Sequence, residues 1–210
     1  VGRRVARGRR RVCATDRGPG YAMPRLHRGL GAQGAGARQG ELVRGTGARA
    51  ARGGLAPVEL WVSGAAHEAF FAGLGAEYRC ALRQQRGVDL GARMSHALGD
   101  SLRTARFAVL IGSDCPAMDA HYLEHACESL VHGADAVLGP AEDGGYVLIG
   151  ARRGEPALFT DIAWGTSDVL AQTRVRLAEL GWHWDELPVQ WDLDRPEDLA
   201  RLARLQGGPH

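Results

Sequence analysis

From Val58 onwards, short apolar runs alternate with stretches in which apolar residues recur at helical spacing. The strand-like segments are 58–62, 78–82, 107–111, 136–139, 146–150 and 182–187. Helical spacing occurs in 69–74, 90–105, 123–130, 169–180 and 199–205. Strands that alternate with helices form βαβ units, which are joined into a parallel sheet. The pattern therefore predicts a single α/β domain with a mostly parallel sheet and helices on both faces.

The segment 107–111 (Phe-Ala-Val-Leu-Ile) is apolar at every position. Such a run is typical of a strand that is buried on both faces, at the centre of a parallel sheet. It ends at Gly112, and Asp114 follows two residues later. Ligands of open α/β sheets bind at the carboxyl ends of the strands. We therefore expect Asp114 to lie at a ligand site.

Turn and capping residues mark the ends of several elements. The sequence Glu-Asp-Gly-Gly at 142–145 separates two apolar segments and predicts a β-hairpin, so Asp143 is first of all a turn former. The predicted N-caps of three helices are Asp89, Thr166 and Asp194. Asp194 opens a capping box with proline in the first turn, which gives it a structural role.

Composition limits the size and class of the protein. The chain has 210 residues, of which 45% are apolar and 24% charged, so it can form one domain with a substantial core. Its apolar runs fall well short of the roughly 18 residues that span a bilayer, and the basic N-terminus lacks an apolar signal segment. The four cysteines are widely spaced, which argues against a zinc ribbon or a disulfide framework. We expect a cytoplasmic protein with reduced thiols and no membrane span.

Charge divides the chain into two parts. Residues 1–53 contain thirteen Arg and two acidic residues (+11), whereas residues 54–210 contain thirteen Arg and twenty-two acidic residues (−9). The first part has few large apolar residues, and no aromatic residues lie among the arginines of 3–11, so we favour a poorly formed or divergent segment over a nucleic-acid-binding arm. Residues 9–14 look too polar for a central strand. We expect the α/β domain to occupy 54–210, with 1–53 as a poorly formed or divergent remnant of a first β-α unit.

One histidine motif suggests a zinc site. The sequence His121-Tyr-Leu-Glu-His125 matches the H-x-x-E-H pattern of some metalloproteases. However, His121, His125, Glu128 and His132 share one helical stripe, opposite the apolar stripe of Leu123, Ala126, Cys127 and Leu130. A catalytic zinc also requires a third protein ligand and a cleft. We therefore interpret the stripe as a solvent-exposed polar face.

Three aspartates follow predicted strands and could form a metal site. They are Asp114, Asp143 and Asp192. Magnesium binds oxygen ligands, typically one or two carboxylates together with water and substrate phosphates, so Asp114 and Asp192 would suffice. Each aspartate also has a purely structural interpretation, as a helix cap, a turn former and a loop residue respectively. Their shared position at strand ends favours a functional role.

Five motifs together resemble a known family. They are Gly-Val-Asp-Leu-Gly-Ala-Arg-Met at 87–94, Leu-Ile-Gly-Ser-Asp-Cys-Pro at 110–116, the segment 134–150 around Glu-Asp-Gly-Gly-Tyr, Ile-Ala-Trp-Gly-Thr at 162–166, and Trp-Asp-Leu-Asp-Arg-Pro-Glu-Asp-Leu at 191–199. They resemble a bacterial family of GT-A-type glycosyltransferase-like proteins, which includes members assigned to arsenosugar biosynthesis. That family is similar to the guanylyltransferases of molybdenum-cofactor and deazaflavin-cofactor synthesis. The resemblance covers 55–205 and implies a Rossmann-like nucleotide-diphosphosugar transferase fold.

The resemblance also implies roles for individual residues. By the resemblance, Asp114 would bind the metal and the nucleotide, and 143–146 would line the sugar or acceptor pocket. Together with the strand-end argument, this makes Asp114 and Asp143 the expected catalytic residues, and Asp114 and Asp192 the expected ligands of Mg²⁺ or Mn²⁺. The residues expected to bind nucleotide or substrate are Arg25, Asp89, Arg93, Ser113, Gly144, Gly145, Tyr146, Trp164 and Thr166. The expected partners are a nucleotide sugar and a small-molecule acceptor, with no nucleic acid. The sequence does not indicate an oligomeric state.

The N-terminal region departs from the family pattern. Family members usually carry a Pro-Gly-x-x-Lys-Thr-Arg-Leu loop that holds the nucleotide, whereas 19–26 has Met23 and Pro24 in place of Lys and Thr, followed by Arg25. A lysine contact to a phosphate is typically worth roughly 1.5–3 kcal/mol, so we expect weakened nucleotide binding. The expected function is a metal-dependent glycosyltransferase that uses a nucleotide-activated sugar. A nucleotidyltransferase that joins a nucleoside triphosphate to a phosphorylated metabolite, or a non-catalytic nucleotide-binding remnant, remains an alternative.

Overall fold

A computed structural model describes residues 10–15, 58–62, 73, 76–77, 80–112, 115–192, 198 and 201–202. Within them, seven strands form one sheet in the order β3-β2-β1-β4-β6-β5-β7. The strands are β1 Arg10–Thr15, β2 Val58–Val62, β3 Ala81–Gln84, β4 Phe107–Gly112, β5 Ala136–Pro140, β6 Tyr146–Ala151 and β7 Trp184–Glu186. The apolar runs found in the sequence thus become strands of a single sheet.

The sheet is mostly parallel, as predicted. Strand β4 pairs in parallel with β1, and the outer pairs β1–β2, β2–β3 and β5–β7 are also parallel. Strand β6 is antiparallel to both of its neighbours, β4 and β5. The predicted hairpin at 142–145 connects β5 to β6, and this hairpin places β6 between β4 and β5. The fold class predicted from the sequence is therefore confirmed.

The first strand corrects one expectation. Residues 9–14 look too polar for a central strand, yet Arg10–Thr15 lies between β2 and β4, with Val12 opposite Val58 and Cys13 opposite Leu110. Parallel pairing uses backbone N–H and C=O groups, which every non-proline residue supplies whatever its side chain. The remainder of 1–53 lies outside the described residues, so the proposed division at residue 53 stays a prediction.

Three α-helices and one 3₁₀-helix flank the sheet in the described part of the chain: α1 Leu90–Leu102, α2 Ala120–His132, the 3₁₀-helix Pro156–Phe159, and α3 Val169–Glu179. Asp89 is the N-cap of α1, and its carboxylate accepts a hydrogen bond from the backbone N–H of Ala92 at 2.7 Å, as predicted. Most of the predicted helix at 69–74 and the Asp194 cap fall outside the described residues.

The cap of α3 differs from the prediction. Thr166 was expected to begin this helix, but the N-cap is Asp168, which makes no capping bond with its side chain. The hydroxyl of Thr166 instead donates to the carbonyl of Ala163 at 2.8 Å and accepts from the N–H of Asp168 at 3.3 Å. These local bonds form a hydroxyl-stabilised turn before the helix, since threonine bonds nearby backbone groups in turns as readily as at helix ends.

The core lies on both faces of the sheet. On one face, α2 buries the predicted stripe of Leu123, Ala126, Cys127 and Leu130 against alternate residues of β4, including Val109 and Ile111. On the other face, α1, the 3₁₀-helix and α3 pack on Ala108 and Leu110 of the same strand. Both faces of β4 are buried because helices cover each of them, which explains its unbroken apolar sequence.

The polar stripe of α2 faces solvent, as its spacing predicts. His121, His125, Glu128 and His132 are all exposed. The rings of His121 and His125 lie 4.0 Å apart between centroids, on the outer side of the helix. This exposure removes the cleft that a metalloprotease site requires. None of the helices in the described ranges has the length and apolar character needed to span a membrane.

Candidate functional site

A small pocket opens at the carboxyl end of β4. It is lined by the first turns of α1 (Leu90 and Met94), by the ends of β4 and β6, and by the loop that leads into α3. The antiparallel direction of β6 brings its first residues beside the last residues of β4, with Ile111 opposite Leu148. The cavity volume is about 50 Å³. The pocket therefore lies at the edge of the sheet where ligands of this fold class bind.

The hairpin turn brings Asp143 to this pocket. An oxygen of its carboxylate (Oδ1) accepts a hydrogen bond from the N–H of Gly145 at 2.8 Å. The N–H of Ala141 donates to the carbonyl of Gly145 at 3.0 Å, and that of Gly144 to the carbonyl of Ala141 at 3.2 Å. Asp143 thus has the turn-forming role that the sequence indicates, and it also lines the pocket. The two roles are compatible because a carboxylate has about four acceptor sites.

Gly144 holds the turn against the start of α3. Its φ of +88° lies in the left-handed region, and a Cβ added there would lie 2.2 Å from the carbonyl oxygen of Ser167. The carbonyl of Gly144 in turn accepts from the N–H of Leu170 at 2.9 Å. Only glycine allows the two backbones to approach this closely. The turn that carries Asp143 and the loop that carries Thr166 are therefore fixed to one another.

Aromatic side chains form one wall of the pocket. Trp164 and Tyr146 both line it, with their ring centroids 6.4 Å apart in an edge-to-face arrangement. The ring centroid of Phe159, in the 3₁₀-helix, also lies 6.4 Å from that of Trp164. Trp164 also packs against Gly91 of α1. This wall combines a flat apolar surface with the carboxylate of Asp143 and the hydroxyl of Thr166.

The structure brings together about half of the residues expected to bind nucleotide, substrate or metal. Asp143, Gly145, Tyr146, Trp164 and Thr166 line the pocket, and Gly144 shapes the turn behind it. Asp89 and Arg93 do not line it: Asp89 caps α1, and the guanidinium of Arg93 donates to the carbonyl of Gly87 at 3.3 Å. Arg25, Ser113 and Asp114 lie outside the described residues. Roles in nucleotide binding for these five residues stay predictions.

Of the two expected metal ligands, Asp192 is among the described residues and Asp114 is not. Asp192 is buried, with 6% of its surface exposed. The thiol of Cys115, which follows Asp114 in the chain, lies 3.4 Å from the carbonyl oxygen of Trp191, which precedes Asp192. The described neighbours of the two expected ligands are therefore in contact. Among the described side chains, no three His, Cys, Asp or Glu residues form a metal cluster, but two carboxylates fit the oxygen preference of Mg²⁺ and Mn²⁺.

Arg201, which belongs to the segment predicted as the last helix, contacts the same region. Its guanidinium donates to both carboxylate oxygens of Glu142, at 2.8 and 3.0 Å, and lies 4.5 Å from the centroid of the Trp191 ring. Hydrogen bonding by Arg201 lowers the pKa of Glu142 below its usual value. Glu142 precedes Asp143, and Trp191 precedes Asp192, so one arginine contacts the immediate neighbours of both candidate site residues. Sequence spacing gave no indication of this contact.

We predict that Arg201→Gln raises the pKa of Glu142 towards its usual value, because the bonded cation is lost. In the folded wild type the pKa of Glu142 is lower than in the unfolded chain. The ion pair with Arg201 therefore stabilises the fold at pH values above the unfolded-state pKa of Glu142, and this stabilisation is lost as the pH falls through its folded-state pKa. NMR titration of the Glu142 carboxyl carbon measures the shift. Arg174→Gln, which removes a similar bidentate pair with Glu186 instead, serves as the control and should leave Glu142 unchanged.

The pocket also contains residues that the sequence did not single out. Leu90, Met94 and the apolar ends of β4 and β6 lie within the motifs that carry the family resemblance, but no binding role was predicted for them. Helical periodicity identifies an apolar face but does not distinguish contact with the core from contact with a ligand. Gly91 belongs to a recognised motif, but its contact with Trp164 requires two segments that are distant in sequence.

Comparison with solved structures identifies the fold. A candidate nucleotide-diphospho-sugar transferase from Desulfovibrio desulfuricans G20 is 28% identical, with a TM-score of 0.82 over 95% of this chain and 88% of the other. The 4-diphosphocytidyl-2C-methyl-D-erythritol synthase of Anaerococcus prevotii DSM 20548 is 11% identical, with a TM-score of 0.64 over 95% and 96% of the two chains. These similarities confirm the Rossmann-like nucleotide-diphospho-sugar transferase fold.

A third structure carries ligands. Glucosyl-3-phosphoglycerate synthase from Mycobacterium tuberculosis, solved with Mn²⁺, uridine diphosphate and glucosyl-3-phosphoglycerate, is 11% identical, with a TM-score of 0.59 over 93% of this chain and 76% of the other. No curated protein sequence matches this chain. The family model described as "Uncharacterized protein conserved in bacteria (DUF2064)" matches residues 46–166, which is more than half of the chain, and the protein therefore belongs to that family.

Proposed function

We propose that the protein is a metal-dependent transferase that moves a sugar from a nucleotide-activated donor to a small-molecule acceptor. The proposal rests on the pocket at the carboxyl end of β4, which is lined by Asp143 and Thr166 together with the aromatic rings of Tyr146 and Trp164. Carboxylates and hydroxyls bind the hydroxyl groups of sugars, and aromatic faces pack on their C–H surfaces. The similarity in fold to a candidate nucleotide-diphospho-sugar transferase supports the same class of donor.

The position of the pocket suggests where the donor nucleotide binds. The strand order reverses direction between β1 and β4, because the chain adds β2 and β3 on one side of β1 and β4 on the other. Nucleotides bind at the carboxyl ends of strands beside such a reversal. The pocket lies on the β4–β6 side of that point. A donor with its nucleotide at β1 and β4 would therefore direct its sugar towards Asp143.

The proposed site has two parts: one that would bind a metal cation and one that presents the carboxylate of Asp143. Asp192 and Asp114 would hold Mg²⁺ or Mn²⁺, which when bound would neutralise the diphosphate leaving group. Asp143 would accept a hydrogen bond from a hydroxyl of the sugar or acceptor and would orient that hydroxyl for transfer. The residues behind Asp143 hold its carboxylate in place through the turn. Asp143 is thus proposed as the catalytic carboxylate.

A nucleotidyltransferase is the second candidate, and the similarity in fold to a cytidylyltransferase from Leptospira borgpetersenii favours it. Such an enzyme acting on a phosphorylated metabolite requires cationic side chains around the phosphate. Among the residues that the structure describes, those lining the pocket include one carboxylate and neither arginine nor histidine. This lining favours a neutral sugar over a phosphorylated group in the pocket.

Calorimetric titration with nucleotide sugars and with nucleoside triphosphates, each with and without Mn²⁺, tests the proposal. We expect Mn²⁺-dependent binding of at least one nucleotide sugar and slow transfer or hydrolysis of its sugar. Tighter binding of a triphosphate, with release of pyrophosphate on addition of a phosphorylated metabolite, would establish the second candidate instead. The absence of binding by any nucleotide would indicate a non-catalytic remnant.

Asp143→Asn tests the catalytic role. We expect turnover to fall by on the order of 10²–10³-fold, which is typical of the loss of a group that takes part in proton transfer. The asparagine carbonyl oxygen can still accept from the N–H of Gly145, so the turn and the affinity for the nucleotide should be retained. Steady-state kinetics and calorimetry on the same preparation separate the two effects. Unchanged turnover would show that Asp143 is only a turn former.

A further inference from the structure

Gly91 occupies a position in the first turn of α1 where a larger residue does not fit. It is buried, and an added Cβ would lie 2.5 Å from Nε1 of Trp164 and 2.8 Å from two further atoms of the indole ring. Glycine within a helix costs about 0.5–1 kcal/mol relative to alanine. Helix formation therefore does not explain Gly91, whereas its contact with Trp164 does.

Gly99, another glycine of α1, is not crowded by a neighbouring side chain. A Cβ added at Gly99 would meet no atom within 4 Å. Both glycines lie within α1 and neither has a positive φ, so they differ mainly in what stands opposite them. Gly91 alone of the two leaves space for the indole of Trp164. The absence of a side chain at Gly91 thus determines the position of Trp164, which forms one wall of the pocket.

The surroundings of Trp164 limit where its ring can move. Tyr146 meets it edge to face and Phe159 lies beside it, each with a centroid distance of 6.4 Å. The helix backbone at Gly91 closes a third side. The cavity, which Trp164 also lines, is a free volume of about 50 Å³ beside the ring, and Trp164 is half-buried, so it is also partly open to solvent. A methyl group at position 91 would therefore displace the indole from α1 and change the wall that it gives the cavity.

The lining of this cavity selects an uncharged group. Among the described residues that line it, the side chains with oxygen atoms are those of Asp143, Thr166 and Tyr146, most of the others are apolar, and none is arginine or histidine. A phosphate or carboxylate placed there would lie near Asp143, and none of the described lining side chains is a cation that could compensate its charge. A neutral group could donate hydroxyl hydrogens to Asp143 and pack its C–H surface on Trp164. The volume is suited to one edge of a sugar ring and not to a whole nucleotide.

We propose that Gly91 is a specificity-determining residue: by admitting the indole of Trp164 against α1, it keeps open a neutral subsite that holds one edge of the donor's uncharged sugar beside Asp143. This inference rests on the proposed function and extends it to the part of the donor that the pocket selects. The nucleoside diphosphate lies outside this subsite. The sugar and nucleotide contributions to binding can therefore be separated by experiment.

Calorimetry with UDP-glucose and GDP-mannose, each compared with its nucleoside diphosphate in the presence of Mn²⁺, tests the inference on Gly91→Ala and on the matched control Gly99→Ala. We expect Gly91→Ala to weaken binding of the better nucleotide sugar by at least about tenfold, the effect of one misplaced methyl group in a pocket. Its affinity for the nucleoside diphosphate should change less than about twofold. Gly99→Ala should change neither affinity, because its methyl group meets no atom.

A second substitution keeps the test decisive if Gly91→Ala folds poorly. Trp164→Phe removes the indole atoms nearest to Gly91, so Gly91→Ala should weaken sugar binding no further in a Trp164→Phe background: the double variant should bind the nucleotide sugar as Trp164→Phe does. Trp164→Phe alone should weaken sugar binding without affecting the nucleoside diphosphate. Equal affinities of wild type and Gly91→Ala for the nucleotide sugar, or equal losses for both ligands, would overturn the inference. If the wild type binds each nucleoside diphosphate as tightly as the corresponding nucleotide sugar, the subsite is refuted. If the wild type binds no nucleotide at all, the proposed function is refuted.

Discussion

Gly144→Ala is expected to lower the free energy of unfolding by about 3 kcal/mol or more, which places it among the most damaging single substitutions. The added methyl group would lie 2.2 Å from the backbone carbonyl oxygen of Ser167, and a backbone atom cannot turn aside as a flexible side chain can. The residue would also hold a left-handed φ of +88°, which L-residues other than glycine adopt at a cost of roughly 1–2 kcal/mol. Urea unfolding measures the loss.

Gly133→Ala is the matched control for this prediction. Gly133 ends α2 with a φ of +119°, but a Cβ added there would meet no atom within 4 Å. The control therefore has the strained backbone without the steric clash, and we expect it to cost roughly 1–2 kcal/mol. Equal losses of stability in the two variants would mean that the contact between the turn and Ser167 contributes nothing, and that the hairpin can separate from α3 without cost.

Asp192→Asn and Asp114→Asn are expected to weaken Mn²⁺-dependent nucleotide binding by at least on the order of 100-fold, since even groups that only orient metal ligands are worth 10–100-fold in metal affinity. Asparagine preserves the size of the side chain but removes the negative charge that binds a hard cation. Asp192 is 6% exposed, so its substitution should also be compared by thermal unfolding without metal. Calorimetric titration of Mn²⁺ at a fixed nucleotide concentration measures the effect.

Asp161→Asn provides the control for the metal prediction. The Asp161 side chain is 78% exposed and lies 3.6 Å from Arg176, outside the residues that line the pocket. The same loss of charge at this position should leave Mn²⁺ affinity unchanged. If both site variants bind Mn²⁺ and nucleotide as the wild type does, the metal-dependent mechanism is wrong and Asp192 has a structural role only.

Local sequence patterns predicted much of the fold because the same residues satisfy both local and tertiary preferences. The apolar run 107–111 became a strand buried on both faces, and the stripe Leu123–Leu130 became the buried face of α2. The prediction for β1 was wrong because its place in the sheet depends on pairing with β2 and β4, which lie more than 40 residues away in sequence. Side-chain polarity carries no information about such long-range backbone pairing.

The candidate site was less predictable than the fold. The Asp-Gly signal placed Asp143 in a turn, but the contact of that turn with Ser167 and Leu170 depends on how the hairpin packs against α3. The cap of α3 was misplaced because Thr166 has the same local bonding capacity in a turn as at a helix end. The role of Gly91 depends on a side chain 73 residues further along the chain, beyond the reach of any local pattern.

The hairpin turn at Asp143 is held from three directions: Leu170 donates to the carbonyl of Gly144, Gln190 accepts from the N–H of Glu142, and Arg201 binds the Glu142 carboxylate. Fixing the backbone of one loop residue costs about 1–2 kcal/mol in conformational entropy. In a mobile loop this cost would be incurred each time a ligand bound and would reduce its affinity. In this protein the turn is ordered by folding, so a ligand meets a preorganised carboxylate.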